Sequence, residues 1–154
     1  MVTVLKNDDW LSLQDTFRLS SLNIRSLLSQ FSNLEVDYCL LKSDVIALSE
    51  TWCSTEPPEL EGYNGYHVLA SRGQGISFYI RDFLKVSSKP EQFNVSGIQI
   101  LKVQLEKATL VLVYRSPSYN TQELLIKELL KILPRNGPTI VCGDFNIHPK
   151  EDNS

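Results

Sequence analysis

The sequence predicts a mixed α/β domain with helices packed on the faces of sheets, and three observations lead there. Short apolar runs of strand length alternate with two segments whose apolar residues fall at helical spacing. Their order reads strand, helix, strand, several strands, helix, strand, which fits neither a helical bundle nor a pure β-sandwich. With 154 residues, 42% of them hydrophobic and 21% charged, the chain is large enough to bury one sizeable core.

Residues 1–16 are polar around Lys6-Asn7-Asp8-Asp9 and carry one apolar cluster, Trp10, Leu11 and Leu13. They are expected to be a weakly structured leader before a unit spanning 17–150 and a tail at 151–154. Phe17, Leu19 and Ser21 alternate with Arg18, Ser20 and Leu22, the pattern of a first strand ending near Asn23. Ser32 followed by Glu35 reads as a capping box, and Phe31, Leu34, Tyr38 and Leu41 fall at helical spacing, so a short amphipathic helix is predicted before Asp44. The run Val45-Ile46-Ala47-Leu48 is too short for a helix and predicts a buried strand ending at Ser49-Glu50.

Pro57, Pro58, Gly62, Asn64 and Gly65 mark a loop region. Strands follow at 66–70 and 76–80, separated by Arg72-Gly73-Gln74-Gly75. Residues 98–105 and 109–114 read as a hairpin turning across Glu106-Lys107-Ala108. Asn120 and Glu123 open a helix carrying Leu125, Leu129, Ile132 and Leu133, closed by Asn136-Gly137-Pro138. A final buried strand at 139–142 delivers Gly143-Asp144-Phe145-Asn146.

Several function classes are disfavoured by composition. No stretch approaches the roughly 18 uninterrupted apolar residues of a membrane helix, and the N-terminus lacks the order of a signal peptide, so an intracellular soluble protein is expected. Cys39, Cys53 and Cys142 are widely spaced and form no C-x-x-C pair; buried, reduced thiols are expected, and zinc would need scattered ligands drawn from His67 and His148. A net charge of −3 argues against the nonspecific nucleic-acid binding of a basic domain. It is compatible with an acidic pocket in which carboxylates hold Mg²⁺ and the metal meets phosphate.

Candidate site residues stand at the ends of predicted strands or just beyond them: Asn23, Glu50, Tyr114, and Asp144 with Asn146. Strand ends hold side chains rigidly at the rim of a sheet, where ligand sites of open sheets gather. Glu50 offers a hard anionic oxygen to Mg²⁺. Asp144 is placed to orient or deprotonate water. Asn23, Tyr114 and Asn146 can hydrogen-bond phosphate oxygens without adding negative charge. The plainer readings are a surface carboxylate for Glu50, a turn residue for Asp144 and a core aromatic for Tyr114. Arg115 reads as a phosphate contact or a solvated cation, while Trp52 and Phe145 read as packing residues.

Four segments carry a resemblance in order and spacing: Leu22-Asn23-Ile24-Arg25-Ser26-Leu27, Asp44-Val45-Ile46-Ala47-Leu48-Ser49-Glu50-Thr51-Trp52, Tyr114-Arg115-Ser116-Pro117 and Gly143-Asp144-Phe145-Asn146. Over residues 17–149 the chain resembles the endonuclease/exonuclease/phosphatase superfamily, and within it the endonuclease domain of non-LTR retrotransposons. The resemblance implies a four-layered α/β-sandwich of two facing mixed sheets flanked by helices, and Mg²⁺-dependent (or Mn²⁺-dependent) hydrolysis of phosphodiesters in DNA. It implies that Glu50 binds the metal, that Asn23 is the first-motif asparagine, that Tyr114 contacts phosphate, and that Asp144 and Asn146 form the catalytic pair.

Two departures accompany it. The glycine-rich stretch reads Gly73-Gln74-Gly75, and the family's Ser-Asp-His segment, which supplies a histidine to the scissile phosphate, does not occur among these residues. His148 lies two residues past Asn146 and is not expected to replace it. The chain is therefore expected to form an incomplete, C-terminally truncated sandwich with little activity alone. A protein partner or self-association would then cover the exposed sheet. The alternative is a non-catalytic, retrotransposon-derived fragment or interaction module that keeps the sheet scaffold.

Overall fold

A computed structural model describes the backbone of residues 2–5 together with residues 17–95, 97–117 and 120–146. Residues 6–16, His148 and the tail at 151–154 lie outside the described residues. The elements run β1 (Val2–Leu5), β2 (Leu19–Asn23), α1 (Leu27–Leu34), β3 (Val45–Ser49), β4 (Tyr63–Val68), β5 (Ile76–Arg81), β6 (Glu91–Val95), β7 (Ile98–Gln104), β8 (Thr109–Arg115), α2 (Gln122–Ile132) and β9 (Thr139–Asp144). They form two mixed sheets, ordered β1-β9-β8-β7-β6 and β2-β3-β5-β4.

The layering follows from which face of each strand is apolar. Val45, Ala47, Phe78 and Ile80 of one sheet pack on Val103, Leu110, Leu112 and Ile140 of the other, filling the space between the sheets. Because strand side chains alternate, the intervening residues face outward and need cover. Ile46, Leu48 and Tyr79 receive it from Leu27 and Leu34 of α1, and Ile100, Val111 and Val141 from Leu125 of α2. The result is helix, sheet, sheet, helix, the α/β-sandwich class expected from the sequence.

The first helix departs from its sequence reading. It begins at Leu27, not after Ser32, with Ser26 as N-cap accepting from the Ser29 N–H. Leu27, Phe31 and Leu34 form an i, i+4, i+7 stripe against the sheet, and that burial outweighs the local Ser32–Glu35 signal, which leaves Glu35 as the C-cap. Tyr38, read as part of the helical stripe, is 73% exposed. Beyond it Asp37 Oδ1 accepts from the Cys39 and Leu40 N–H groups and starts a short 3₁₀ turn, Leu40–Lys42.

Two strands escape sequence reading. β6 is mostly exposed and is defined by its ladder to β7, with Phe93 its one residue packed beneath α2. β1, within the segment read as a leader, pairs antiparallel with β9. β4 starts at Tyr63, three residues before the expected 66, since its pairing with β5 reaches Arg81. Cys53 and Cys142 are buried free thiols, whereas Cys39 is exposed. Among the described residues no helix is long and apolar enough to cross a membrane.

Candidate active site

Two parallel strand pairs, one in each sheet, end on the same rim. β2 runs parallel to β3 with Asn23 opposite Ser49, and β8 runs parallel to β9 with Tyr114 opposite Asp144. Parallel pairing brings the C-terminal ends of neighbouring strands together, which is why four separated sequence segments deliver their polar residues to one place. All five candidate residues, Asn23, Glu50, Tyr114, Asp144 and Asn146, line one cleft of about 680 Å³.

Asn23 joins the two sheets. Its side-chain Nδ2 donates to Glu50 Oε2 and, at 3.4 Å, to Asp144 Oδ2, so a single amide spans two carboxylates that are 94 residues apart in sequence (144 − 50). Its Oδ1 accepts from the Arg25 N–H. Asp144 is held from its other side as well, with Oδ1 accepting from the Asn146 N–H at 3.3 Å.

The backbone beneath these groups is unusual. Among the described residues, the five non-glycine positions with positive φ are Arg25, Ser26, Glu50, Trp52 and Asn146, and all lie on this rim. Such conformations disfavour L residues and persist where surrounding structure fixes them. Here the Ser26 and Leu27 N–H groups donate to the Glu50 and Thr51 carbonyls at 2.9 Å, zipping the start of α1 to the exit of β3.

Arg115 is not a solvated cation. It is buried at 8% exposure, and its Nη1 donates to the Phe145 and Asn146 carbonyls while the Asn146 side chain donates back to the Arg115 carbonyl. It ties the loop after β9 to the end of β8. Trp52 is also more than a packing residue, since it lines the cleft beneath the guanidinium of Arg72 at 5.3 Å. Sequence reasoning missed Arg72 and Gln74 as cleft residues; the altered glycine-rich stretch was the available signal. Phe145 packs beside α2 as expected.

Tyr114 donates its hydroxyl proton to the Gly73 carbonyl at 2.9 Å. Burial, reinforced by the charges of Glu50 and Asp144, pushes its pKa up to about 12. In the unfolded chain a tyrosine ionises near 10. Between about pH 10 and 12 unfolding therefore releases a proton, and stability that is complete below pH 10 is lost as pH rises. Urea melts across that range should show a shallower alkaline loss for Tyr114→Phe than for the natural chain; identical slopes would mean that Tyr114 ionises normally.

The donor set suits a hard divalent ion. The two carboxylates offer oxygen only, the Asn23 amide turns its Nδ2 toward them, and among the described residues no group of three or more His, Cys, Asp or Glu gathers to form a closed metal cage. Mg²⁺ fits such an open site, because it keeps several waters and takes one or two carboxylates plus phosphate oxygens.

Comparison with known proteins bears on the whole arrangement. The family described as Endonuclease/Exonuclease/phosphatase matches residues 14–154. No match is found among curated protein sequences. Among solved structures, an AP endonuclease from Archaeoglobus fulgidus is similar over 88% of this chain and 59% of its own, at 18% identity and a TM-score of 0.63. The endonuclease domain of TRAS1, a telomere-specific non-LTR retrotransposon, matches over 86% of this chain and 61% of its own, at 18% identity and a TM-score of 0.56. The 3′ phosphatase NExo from Neisseria, solved bound to product DNA hairpin, matches over 88% and 60%, at 15% identity and a TM-score of 0.61. The chain thus spans about three fifths of the length of these structures, and at such identities they share its fold.

Proposed function

Because the chain belongs to the endonuclease/exonuclease/phosphatase family, we propose that it is built for Mg²⁺-dependent hydrolysis of phosphodiesters in nucleic acid, with the cleft at the ends of β2, β3, β8 and β9 as its active site. The observation that carries this reading is Asn23 spanning Glu50 and Asp144 across the two sheets. Residues 17–150 are read as the portion of such a domain that bears the site.

Each residue has a role in this proposal. Glu50 would hold the metal, with Mn²⁺ a substitute, and the ion when bound would supply positive charge to the phosphate oxygens. Asn23 keeps the two carboxylates in register and offers a neutral donor near phosphate. Asp144, fixed between Asn23 and the Asn146 N–H, accepts the proton of the attacking water while that water's oxygen joins phosphorus. The ester P–O bond breaks, and the leaving oxygen takes a proton from solvent. Tyr114 stays neutral at physiological pH and so acts as a donor to phosphate, releasing Gly73 to do so.

Nicking of supercoiled and abasic-site DNA tests the reading. Cleavage that requires Mg²⁺ and is lost in Glu50→Ala supports it. Absence of any Glu50-dependent cleavage would favour a non-catalytic module that keeps the scaffold.

A further inference from the structure

We propose that Arg72, seated on the indole of Trp52, is a preorganised contact for the phosphate backbone of the nucleic acid; this rests on the nucleic-acid reading above. The Arg72 side chain is exposed, yet its guanidinium sits 5.3 Å from the centre of the Trp52 ring. A cation at that range is held by the ring's electron-rich face, and a guanidinium keeps its fork of N–H donors at the ring's edge.

The loop that carries Arg72 is pinned on three sides. The Tyr114 hydroxyl donates to the Gly73 carbonyl, the Thr51 and Trp52 N–H groups donate to the Gly75 and Gln74 carbonyls at 3.1 and 2.8 Å, and the Gly75 N–H donates to Gln99 Oε1 at 2.7 Å. Gly75 is required for that closeness, since a Cβ there would stand 2.3 Å from Thr51 Oγ1. Loop and indole therefore form one rigid shelf, fixed through Thr51 to the strand exit that bears Glu50.

Charge gives the shelf its purpose. Glu50 and Asp144 make the cleft floor negative, and the whole chain carries a net charge of −3. A phosphodiester approaching that floor is repelled until it meets a cation, and Arg72 lines the same cleft. With a net charge of −3 the chain has no overall positive field, so the two exposed arginines that line the cleft, Arg25 and Arg72, carry an outsized share of backbone binding, and Arg72 is held in place on a ring.

The test is equilibrium binding of a fluorescein-labelled DNA duplex by anisotropy, in EDTA to prevent cleavage, over a series of salt concentrations. Arg72→Ala is expected to lower affinity about tenfold and to reduce the salt slope by about 1. Arg72→Lys should recover the slope and part of the affinity. Trp52→Leu should lower affinity about threefold with Arg72 intact, Trp52→Phe should restore it, and Trp52→Leu added to Arg72→Ala should cost nothing further. If the natural chain binds DNA and Arg72→Ala matches it in affinity and slope, this inference falls and the nuclease reading stands. Independent multiplication of the two losses would show that Trp52 does not seat Arg72 and would also overturn it. Absence of DNA binding by the natural chain at every salt concentration overturns both.

Discussion

Gly143→Ala is expected to destabilise the fold by about 3 kcal/mol or more. Gly143 has a φ of 129°, and a Cβ there would lie 1.9 Å from the Val113 carbonyl oxygen. Relief by movement is blocked, because Val113 belongs to β8, which is paired to β7 on one side and β9 on the other. Gly137 provides the control: its φ is 91°, but a Cβ there meets nothing within 4 Å. Gly137→Ala should cost only about 1 kcal/mol, the conformational part alone. In a chain of this size the two substitutions should lower Tm by about 10 °C and about 3 °C. Equal shifts would show that the close approach of β9 to β8, which aims Asp144 into the cleft, is absent.

Glu50→Ala is expected to reduce nicking by about a thousandfold or more, the usual cost of removing a group that stabilises charge in the transition state. The substitution should leave stability in EDTA within about 1 kcal/mol of the natural chain, because Glu50 is half exposed at the rim and supports little packing. The metal response should change sharply. At tenfold excess over its Kd, a divalent ion that binds only the folded chain stabilises it by about 1.4 kcal/mol. That increment should vanish in Glu50→Ala, and its persistence would move the metal elsewhere.

Much of this was legible in the sequence, for identifiable reasons. Val45-Ile46-Ala47-Leu48 and the run at 109–114 read as strands because they are buried on both faces and almost continuously apolar, and the run at 98–105 because its apolar residues recur at strand spacing around Gln99, Lys102 and Gln104. Asn23, Glu50, Tyr114 and Asp144 read as site residues because strand ends are recognisable from where the apolar runs stop. What escaped depends on contacts between distant segments. β6 is polar on most of its surface and exists through its ladder to β7, and the start of α1 is decided by Leu27 meeting the outer face of β3 and β5 rather than by the Ser32–Glu35 signal. Arg115 and Arg72 are both arginines beside glycine-, serine- or proline-bearing turns, yet one is buried holding carbonyls and the other lies open on an indole. Only the folded chain separates them.

If residues from two sheets, joined by Asn23, make one metal and phosphate site, Mn²⁺ titration followed by backbone amide NMR detects it without relying on turnover. Paramagnetic broadening is expected to be confined to the rim, at Asn23, Glu50, Tyr114 and Asp144, and to be lost in Glu50→Ala. Broadening centred away from this rim, or none at Mn²⁺ concentrations that support any nicking, would show that the metal binds elsewhere or not at all.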